Sequence, residues 1–460
     1  MNVLLISTYE LGRQPFGVAS PAAWLKEEGV DVRCLDLAIQ QLDRGAVEEA
    51  DAVCFYVPMH TATRIAVRLA PRVRQINPGA HLCFYGLYAP VNEPLFRSIG
   101  AGTVIGGEFE EGLVSMVRRL NAFDSASPEA AQPEPVISLG RQRFIRPDRS
   151  GLPTLDKYAY ITLAGGDQRV AGYTEASRGC KHLCRHCPVV PVYGGNFRIV
   201  PREVILADIE QQVAAGAQHI SFGDPDFFNG PGHAIKLVSE LHHRWPGLTY
   251  DVTIKIEHLL KQADKLPILR TTGCVLVTSA VEAVDERILQ ILDKRHTREQ
   301  FSRVVQLCRD ADLALNPTFV TFTPWTSLKG YLELLSVLSD LELVNNVSPI
   351  QYGIRLLIPS GSRLLELPET REIVQPFDPL ALVYPWDHPD PAVDRLHQTV
   401  LQIIQVAQGQ GASRREIFER VWNATTDEIC ARNGQEKPVP LEERRFGRPS
   451  VPYLSEPWYC

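Results

Sequence analysis

Three cysteines within eight residues, Cys180, Cys184 and Cys187, constrain this chain more than any other feature. They stand in the run Ser177-Arg178-Gly179-Cys180-Lys181-His182-Leu183-Cys184-Arg185-His186-Cys187-Pro188, a Cys-x3-Cys-x2-Cys spacing. A structural zinc site closes with four ligands, and a four-iron cluster takes one protein ligand per iron. Three thiolates therefore suit a 4Fe–4S cluster that leaves one iron open to a substrate or cofactor. Two other readings are available. One is a zinc knuckle with His182 or His186 as fourth ligand, but no second ligand pair with zinc-like spacing follows. The other is a reactive Cys184–Cys187 disulfide, which leaves Cys180 without a role.

At 460 residues the chain is long enough for two or three domains. Its 45% hydrophobic and 22% charged content is that of a globular protein, and no apolar run approaches a membrane span. The start, Met1-Asn2-Val3-Leu4-Leu5-Ile6-Ser7, has no basic lead and meets Glu10 and Arg13 soon after, so it reads as a first strand rather than a signal peptide. A cytoplasmic location is the expectation. The net charge is −7, and the densest basic stretch, Arg444-Arg445-Phe446-Gly447-Arg448, follows two glutamates. This argues for a small-molecule or peptide partner rather than nucleic acid. Ten cysteines in such a chain are not a disulfide framework. Cys34, Cys54, Cys83, Cys274 and Cys308 lie inside apolar runs, as buried cysteines do.

Residues 1–121 alternate strand-like runs (Val3–Ile6, Val32–Leu35, Ala52–Val57, His81–Tyr85, Thr103–Ile105) with helical stretches such as Thr63–Ile76. Five strands with intervening helices predict an α/β, doubly wound, flavodoxin-like parallel sheet, whose ligand site lies at the carboxyl ends of the strands. No G-x-G-x-x-G follows the first strand, which argues against a dinucleotide. Residues 122–158 read as a linker, since Ala122–Pro135 carries three prolines and little apolar content. From 159 to 360 strand candidates recur at Gly172–Ser177, His219–Phe222, Thr249–Ile256, Cys274–Ser279, Ala314–Phe322 and Gln351–Ile358. Six βα units predict a partial (β/α)6 barrel, with the cysteine loop directly after the first strand. Residues 361–430 form a helical C-terminal region: Val393, Leu396, Val400, Ile403 and Ala407 share a face, and Ser413-Arg414-Arg415-Glu416 is a capping box. The proline-rich tail 431–460 keeps Phe446, Tyr453, Trp458 and Tyr459 and is expected to strap back over the barrel or the domain junction.

The cysteine spacing resembles the signature loop of the radical S-adenosylmethionine (radical SAM) enzymes. In that family the open iron chelates S-adenosylmethionine, and an electron from the cluster cleaves the sulfonium to methionine and a 5′-deoxyadenosyl radical. An aromatic usually precedes the third cysteine; here it is His186. The resemblance implies further S-adenosylmethionine contacts. These are Gly223, Asp224 and Pro225 in the Gly223-Asp224-Pro225-Asp226 turn, Ser279 and Glu282 at the end of the fourth strand, Lys294 on the methionyl carboxylate, and Arg355 in the sixth strand. Arg355 either meets a carboxylate or points outward. Residues 1–121 resemble the cobalamin-binding domain that precedes many radical SAM barrels. Gly106-Gly107-Glu108-Phe109-Glu110 is similar to that group's Gly-Glu-x-Glu turn, and the Asp-x-His-x-x-Gly cobalt-ligand motif is absent. The implied cobalamin contacts are Tyr9, Pro58, Met59, His60, Gly86, Gly107 and Glu108.

The expected function is therefore a radical SAM enzyme with a 4Fe–4S cluster, S-adenosylmethionine and cobalamin. It would transfer a methyl group to an unactivated carbon, or make a related radical modification, on a small molecule or peptide, with a flavodoxin or ferredoxin as reductant. The alternatives are a tRNA methylthiotransferase-like enzyme, with a second cluster on Cys34, Cys54 and Cys83, and a non-catalytic iron–sulfur redox sensor. The ending Glu456-Pro457-Trp458-Tyr459-Cys460 resembles that of a radical SAM group whose chains finish in Cys-Cys-Ala-Glu-Pro or its selenocysteine form. It implies that Cys460 belongs to a redox pair continued by a recoded selenocysteine codon.

Overall fold

A computed structural model describes residues 1–122, 133–433 and 451–455. Cys460 and the aromatic residues Phe446, Trp458 and Tyr459 lie outside the described residues.

The first sheet is built from β1 (Asn2–Ser7), β2 (Asp31–Asp36), β3 (Ala52–Tyr56), β4 (His81–Tyr85), β5 (Thr103–Gly107) and β6 (Ile137–Ser138). Their order is β2-β1-β3-β4-β5-β6, all parallel. This is the flavodoxin-like order extended by one short strand. The strands read as unbroken apolar runs because both faces are covered. Val3 and Leu5 pack under the helices Phe16–Glu27 and Phe109–Ala122, and Leu4 and Ile6 under His60–Ile76. Phe84 stacks on Phe96 at 4.0 Å and on Phe55 at 5.4 Å.

Gly107 ends β5 with φ +77°, and a Cβ there would lie 2.2 Å from the Ser138 carbonyl oxygen. That carbonyl accepts a hydrogen bond from Glu108 N, so the turn and the β5–β6 pairing depend on the missing side chain. Gly107→Ala is expected to destabilise the protein by about 1–3 kcal/mol, read as a lower denaturation midpoint.

The second sheet holds β7 (Tyr160–Thr162), β8 (Gln168–Thr174), β11 (His219–Phe222), β12 (Thr249–Thr253), β13 (Cys274–Glu282), β14 (Ala314–Phe319) and β15 (Tyr453–Leu454), while β9 (Ser177–Gly179) and β10 (Phe197–Ile199) make a separate hairpin. β8, β11, β12, β13 and β14 run parallel as neighbours. The described part of the tail does strap back: β15 pairs antiparallel with β7, which pairs antiparallel with β8. The sixth barrel position is reduced relative to expectation. Pro349–Gly353 is a 3₁₀ turn, and a single parallel bridge, Phe322 to Arg355, follows it. The Gln351 side chain accepts the bond from Phe319 N that a strand carbonyl would take. Proline at 349 and 359 bounds the segment.

Helices Pro391–Gly409 and Arg414–Asn433 close the barrel through Val393, Leu396, Val400, Ile404, Phe418 and Trp422. Ser413 caps the second of them reciprocally with Glu416. Among the described residues no helix is long and apolar enough to cross a membrane.

Candidate active site

The cysteine loop is closed at its base. Ser177–Gly179 pairs antiparallel with Phe197–Ile199, so residues 180–196 form one hairpin loop. Gly179 permits the turn: at φ +72°, a Cβ would sit 2.4 Å from the Tyr193 ring and 2.5 Å from Asn196 O. Asp224, after β11, accepts from Ala176 N at 3.0 Å and from the Ser177 hydroxyl. Burial pushes its carboxyl up to about 7 against these bonds. Asp224 thus holds the base of the loop. The tip is held from the opposite side. Arg185 donates to the carbonyls of Gln290 and Ile291, Ser362 donates to Arg185 O, and Arg363 donates to Leu183 O.

Cys180, Cys184 and Cys187 are all free thiols. Burial, with Cys184 and Cys180 nearby, pushes the Cys187 thiol up to about 12. Three thiolates side by side in this apolar pocket need a cationic centre. Among the described residues, the only three ligand atoms within 4.8 Å of one another are from Cys180, His182 and Asp226. Three thiols on one loop are a donor set that fits a multi-iron cluster. Val189, Val192 and Tyr193 pack beside Cys180 and Cys187, and Leu87 and Leu139 of the first half of the chain join them.

The end of β13 supplies the charged floor. Glu282, at φ 71°, accepts from His186 Nε2 at 3.1 Å and Lys294 Nζ at 3.3 Å. Burial opposes its ionisation, yet Lys294 and His186 outweigh it and hold the carboxyl down to about 2. The ionic contribution is therefore present above the ordinary carboxylate range and lost only as pH falls through about 2. Lys294 is buried; Glu282, Cys184 and Cys187 together keep its ammonium charged. Ser279 is buried with its hydroxyl unpartnered.

Sequence reasoning missed a second polar group beside the cysteines. Asp226 Oδ2 lies 2.6 Å from His258 Nδ1 and 3.4 Å from His182 Nε2, and Glu257 lies 3.6 Å from both His182 and Lys255. These contacts are close but misaligned as hydrogen bonds. Burial, then Lys294 and Lys255, press the His296 imidazole down to about 4, and neither of its nitrogens has a partner. In the sequence His182 read only as a candidate zinc ligand, while Glu257 and His258 had no signal beyond following a barrel strand.

Where the two sheets meet, a cavity of about 200 Å³ joins the two sets of expected contacts. Pro58, Met59 and Gly107 line it from the first sheet, and Gly223, Pro225, Ser177 and Gly179 from the barrel. Gly86 packs against the Tyr56 ring instead, and Tyr9 is buried without lining the cavity. Three residues depart from their expected places. His60 Nε2 bonds Ala381 O at 2.6 Å, so that nitrogen is not available to a cobalt ion. Glu108 pairs with Arg178 and accepts from Tyr193 Oη. Arg355 pairs with Asp394 at 2.6 Å, donates to Trp386 O and lies over the Trp386 ring; its single bridge is to Phe322, beyond the end of β14.

Arg178 joins the halves of the chain. Its guanidinium grips Glu110 with two bonds, at 2.8 and 2.6 Å, and reaches Glu175 at 2.8 Å and Glu108 at 3.4 Å. All of this lies two residues before Cys180.

The Cys34, Cys54 and Cys83 side chains share one face of the first sheet, and Cys54 pairs directly with Cys83 across β3 and β4. Two of the three are closer than the sequence suggested. All are buried in the core rather than at the strand ends, and burial raises the Cys34 and Cys83 thiols.

Residues 174–325 match the family model of the radical SAM superfamily. Over 335 residues the chain is 23% identical to anaerobic magnesium-protoporphyrin IX monomethyl ester cyclase of Rubrivivax gelatinosus, covering 66% of this chain and 58% of that relative. The chain therefore spans less than two thirds of that relative's length. Among solved structures, the cobalamin-dependent radical enzyme OxsB superposes with a TM-score of 0.69 at 14% identity, covering 89% of this chain and 67% of that one. The radical S-adenosylmethionine methyltransferase TsrM from Kitasatospora setae gives 0.58 at 18% identity, covering 74% and 71%. Residues 174–325 thus match a radical SAM domain, and the two halves of the chain together share the fold of OxsB and TsrM.

Proposed function

We propose that the chain is a radical SAM enzyme that works with cobalamin to methylate, or otherwise modify by radical chemistry, an unactivated carbon of a small molecule or peptide. The observation that carries this reading is the cavity between the sheets, whose walls come from the expected cobalamin loops on one side and from the cysteine loop and the β11 turn on the other. When bound, a 4Fe–4S cluster supplies one electron to the sulfonium of S-adenosylmethionine, giving methionine and a 5′-deoxyadenosyl radical able to take hydrogen from carbon. Cys180, Cys184 and Cys187 would hold that cluster. Glu282 would accept hydrogen bonds from the ribose hydroxyls, with Lys294 placed to meet the methionyl carboxylate. Gly223 leaves room for Tyr173, whose ring packs where its Cβ would lie.

Cobalamin, the expected methyl carrier, fits by the character of the wall. Pro58, Met59, Leu87 and Gly107 offer an apolar wall against which part of a corrin would pack. No histidine lines that cavity, so a lower cobalt ligand would not come from His60. The protein's own contribution is positioning and the exclusion of water. A flavodoxin or ferredoxin would serve as electron donor.

The methylthiotransferase reading needs a second cluster on Cys34, Cys54 and Cys83. Their burial within the sheet core argues against it.

Glu282→Gln is expected to weaken S-adenosylmethionine binding about tenfold, roughly 1.4 kcal/mol, in equilibrium titration of the cluster-loaded protein. Unchanged affinity would remove Glu282 from the site. The cobalamin part is tested by anaerobic loading with hydroxocobalamin followed by desalting. A retained corrin spectrum supports it, and complete loss of the corrin retires the methyl-transfer role.

A further inference from the structure

The loop after β1 brings a charged group to the interdomain cavity that the cluster chemistry leaves unused. Glu10 is 6% exposed, lines the cavity, and has no hydrogen-bond partner at Oε2. A buried acceptor left in this way costs about 1–3 kcal/mol, and more when charged. The surrounding charges do not settle it. Glu175 and Asp36 repel it, while Arg13 and Arg149 act the other way. Arg149 is already bound to Asp208 at 2.7 Å, and Arg178 to Glu108, Glu110 and Glu175. Burial first, then Glu175 and Asp36, push the Glu10 carboxyl well above the usual carboxylate range.

The walls around Glu10 are aromatic. Tyr56, Phe109 and Tyr173 line the same cavity, and the Arg13 guanidinium lies 4.9 Å from the Tyr173 ring centroid, so this wall already accommodates a cation. Aromatic faces beside a buried carboxylate form an arrangement that recognises organic ammonium groups.

We infer that this cavity binds a small organic cation, the ammonium group of the substrate, with Glu10 as its counter-charge and Tyr56, Phe109 and Tyr173 as its walls. The inference rests on the cavity being the reaction site and adds the charge class of what enters it. A bound ammonium would pair with the unpartnered Glu10 oxygen and favour its ionised form, which a neutral isostere would not.

The test uses the full-length, cluster-loaded protein and two probes of equal size, n-butylammonium and n-butanol, titrated by ligand-observed NMR at neutral pH. The expected result is that the ammonium binds at least tenfold more tightly than the alcohol. Glu10→Gln should abolish that preference while the melting temperature stays within a few degrees of the parent. Equal affinity for the two probes, binding of neither, or an undiminished preference in a folded Glu10→Gln protein would overturn the inference. Should that variant fail to fold, the comparison of probes on the parent protein still decides. Cleavage of S-adenosylmethionine is measured separately on the same sample. Cleavage without ammonium preference sinks this inference alone, whereas ammonium preference without cleavage sinks the enzymatic reading.

Discussion

Arg178→Met is expected to lower stability by about 3–5 kcal/mol, the largest effect of any single substitution away from the cysteines. The arginine is 5% exposed on its side chain, and Glu108 and Glu110 are each 1% exposed. Removing the guanidinium leaves three carboxylates at the junction without their cation, and methionine fills the volume without replacing any bond. The loss should depend on pH with a defined sign. Although burial alone would raise Glu110, Arg178 and its hydrogen bonds hold that carboxyl below its ordinary value. The stabilisation it brings is therefore present above the ordinary carboxylate range and is lost as pH falls below it. The variant should differ most from the parent near neutral pH and less in acid, where its stranded carboxylates can protonate. Arg178→Lys should recover only part of the loss, since an ammonium cannot reproduce the two-pronged grip on Glu110. Melting curves of the three proteins at several pH values check this. Equal stability of Arg178→Met and parent at neutral pH would show that the junction does not depend on the arginine.

The second large effect is at the cluster. Cys184→Ala is expected to reduce bound iron from about four per chain to near background after anaerobic reconstitution, and to abolish 5′-deoxyadenosine formation. Cys184 is buried, between a loop base held by Asp224 and a tip held by Arg363. A smaller side chain there should leave the fold intact while opening the ligand set. Cys54→Ala is the matching control. It removes a core thiol from the first sheet and should leave the iron content unchanged. A loss of about half the iron in that control would restore the two-cluster, methylthiotransferase reading.

What was legible in the sequence was local. The cysteine spacing sits on one loop, so the ligand set needed no tertiary information. The inner strands of the first sheet are contiguous apolar runs because burial on both faces leaves no alternation to decode. What was hidden depends on partners far along the chain. His60 is tied to a carbonyl 321 residues away, and Arg355 to a carboxylate 39 residues away on the first C-terminal helix. Both looked like free ligands in the sequence. Arg178 belongs to the cysteine motif, yet its role as a clamp follows from Glu110, 68 residues earlier. The sixth strand failed because Gln351 can satisfy Phe319 N with its side chain, an exchange that composition does not reveal. The unmet oxygen of Glu10 exists only once the two sheets face each other.

The most direct test of the central claim is anaerobic. The reconstituted protein is mixed with S-adenosylmethionine and a strong reductant, and 5′-deoxyadenosine is measured against the Cys184→Ala protein. The account predicts 5′-deoxyadenosine and methionine in equal amounts from the parent and neither from the variant. A parent protein carrying about four iron atoms per chain that binds S-adenosylmethionine and forms no 5′-deoxyadenosine above the variant's background would contradict it.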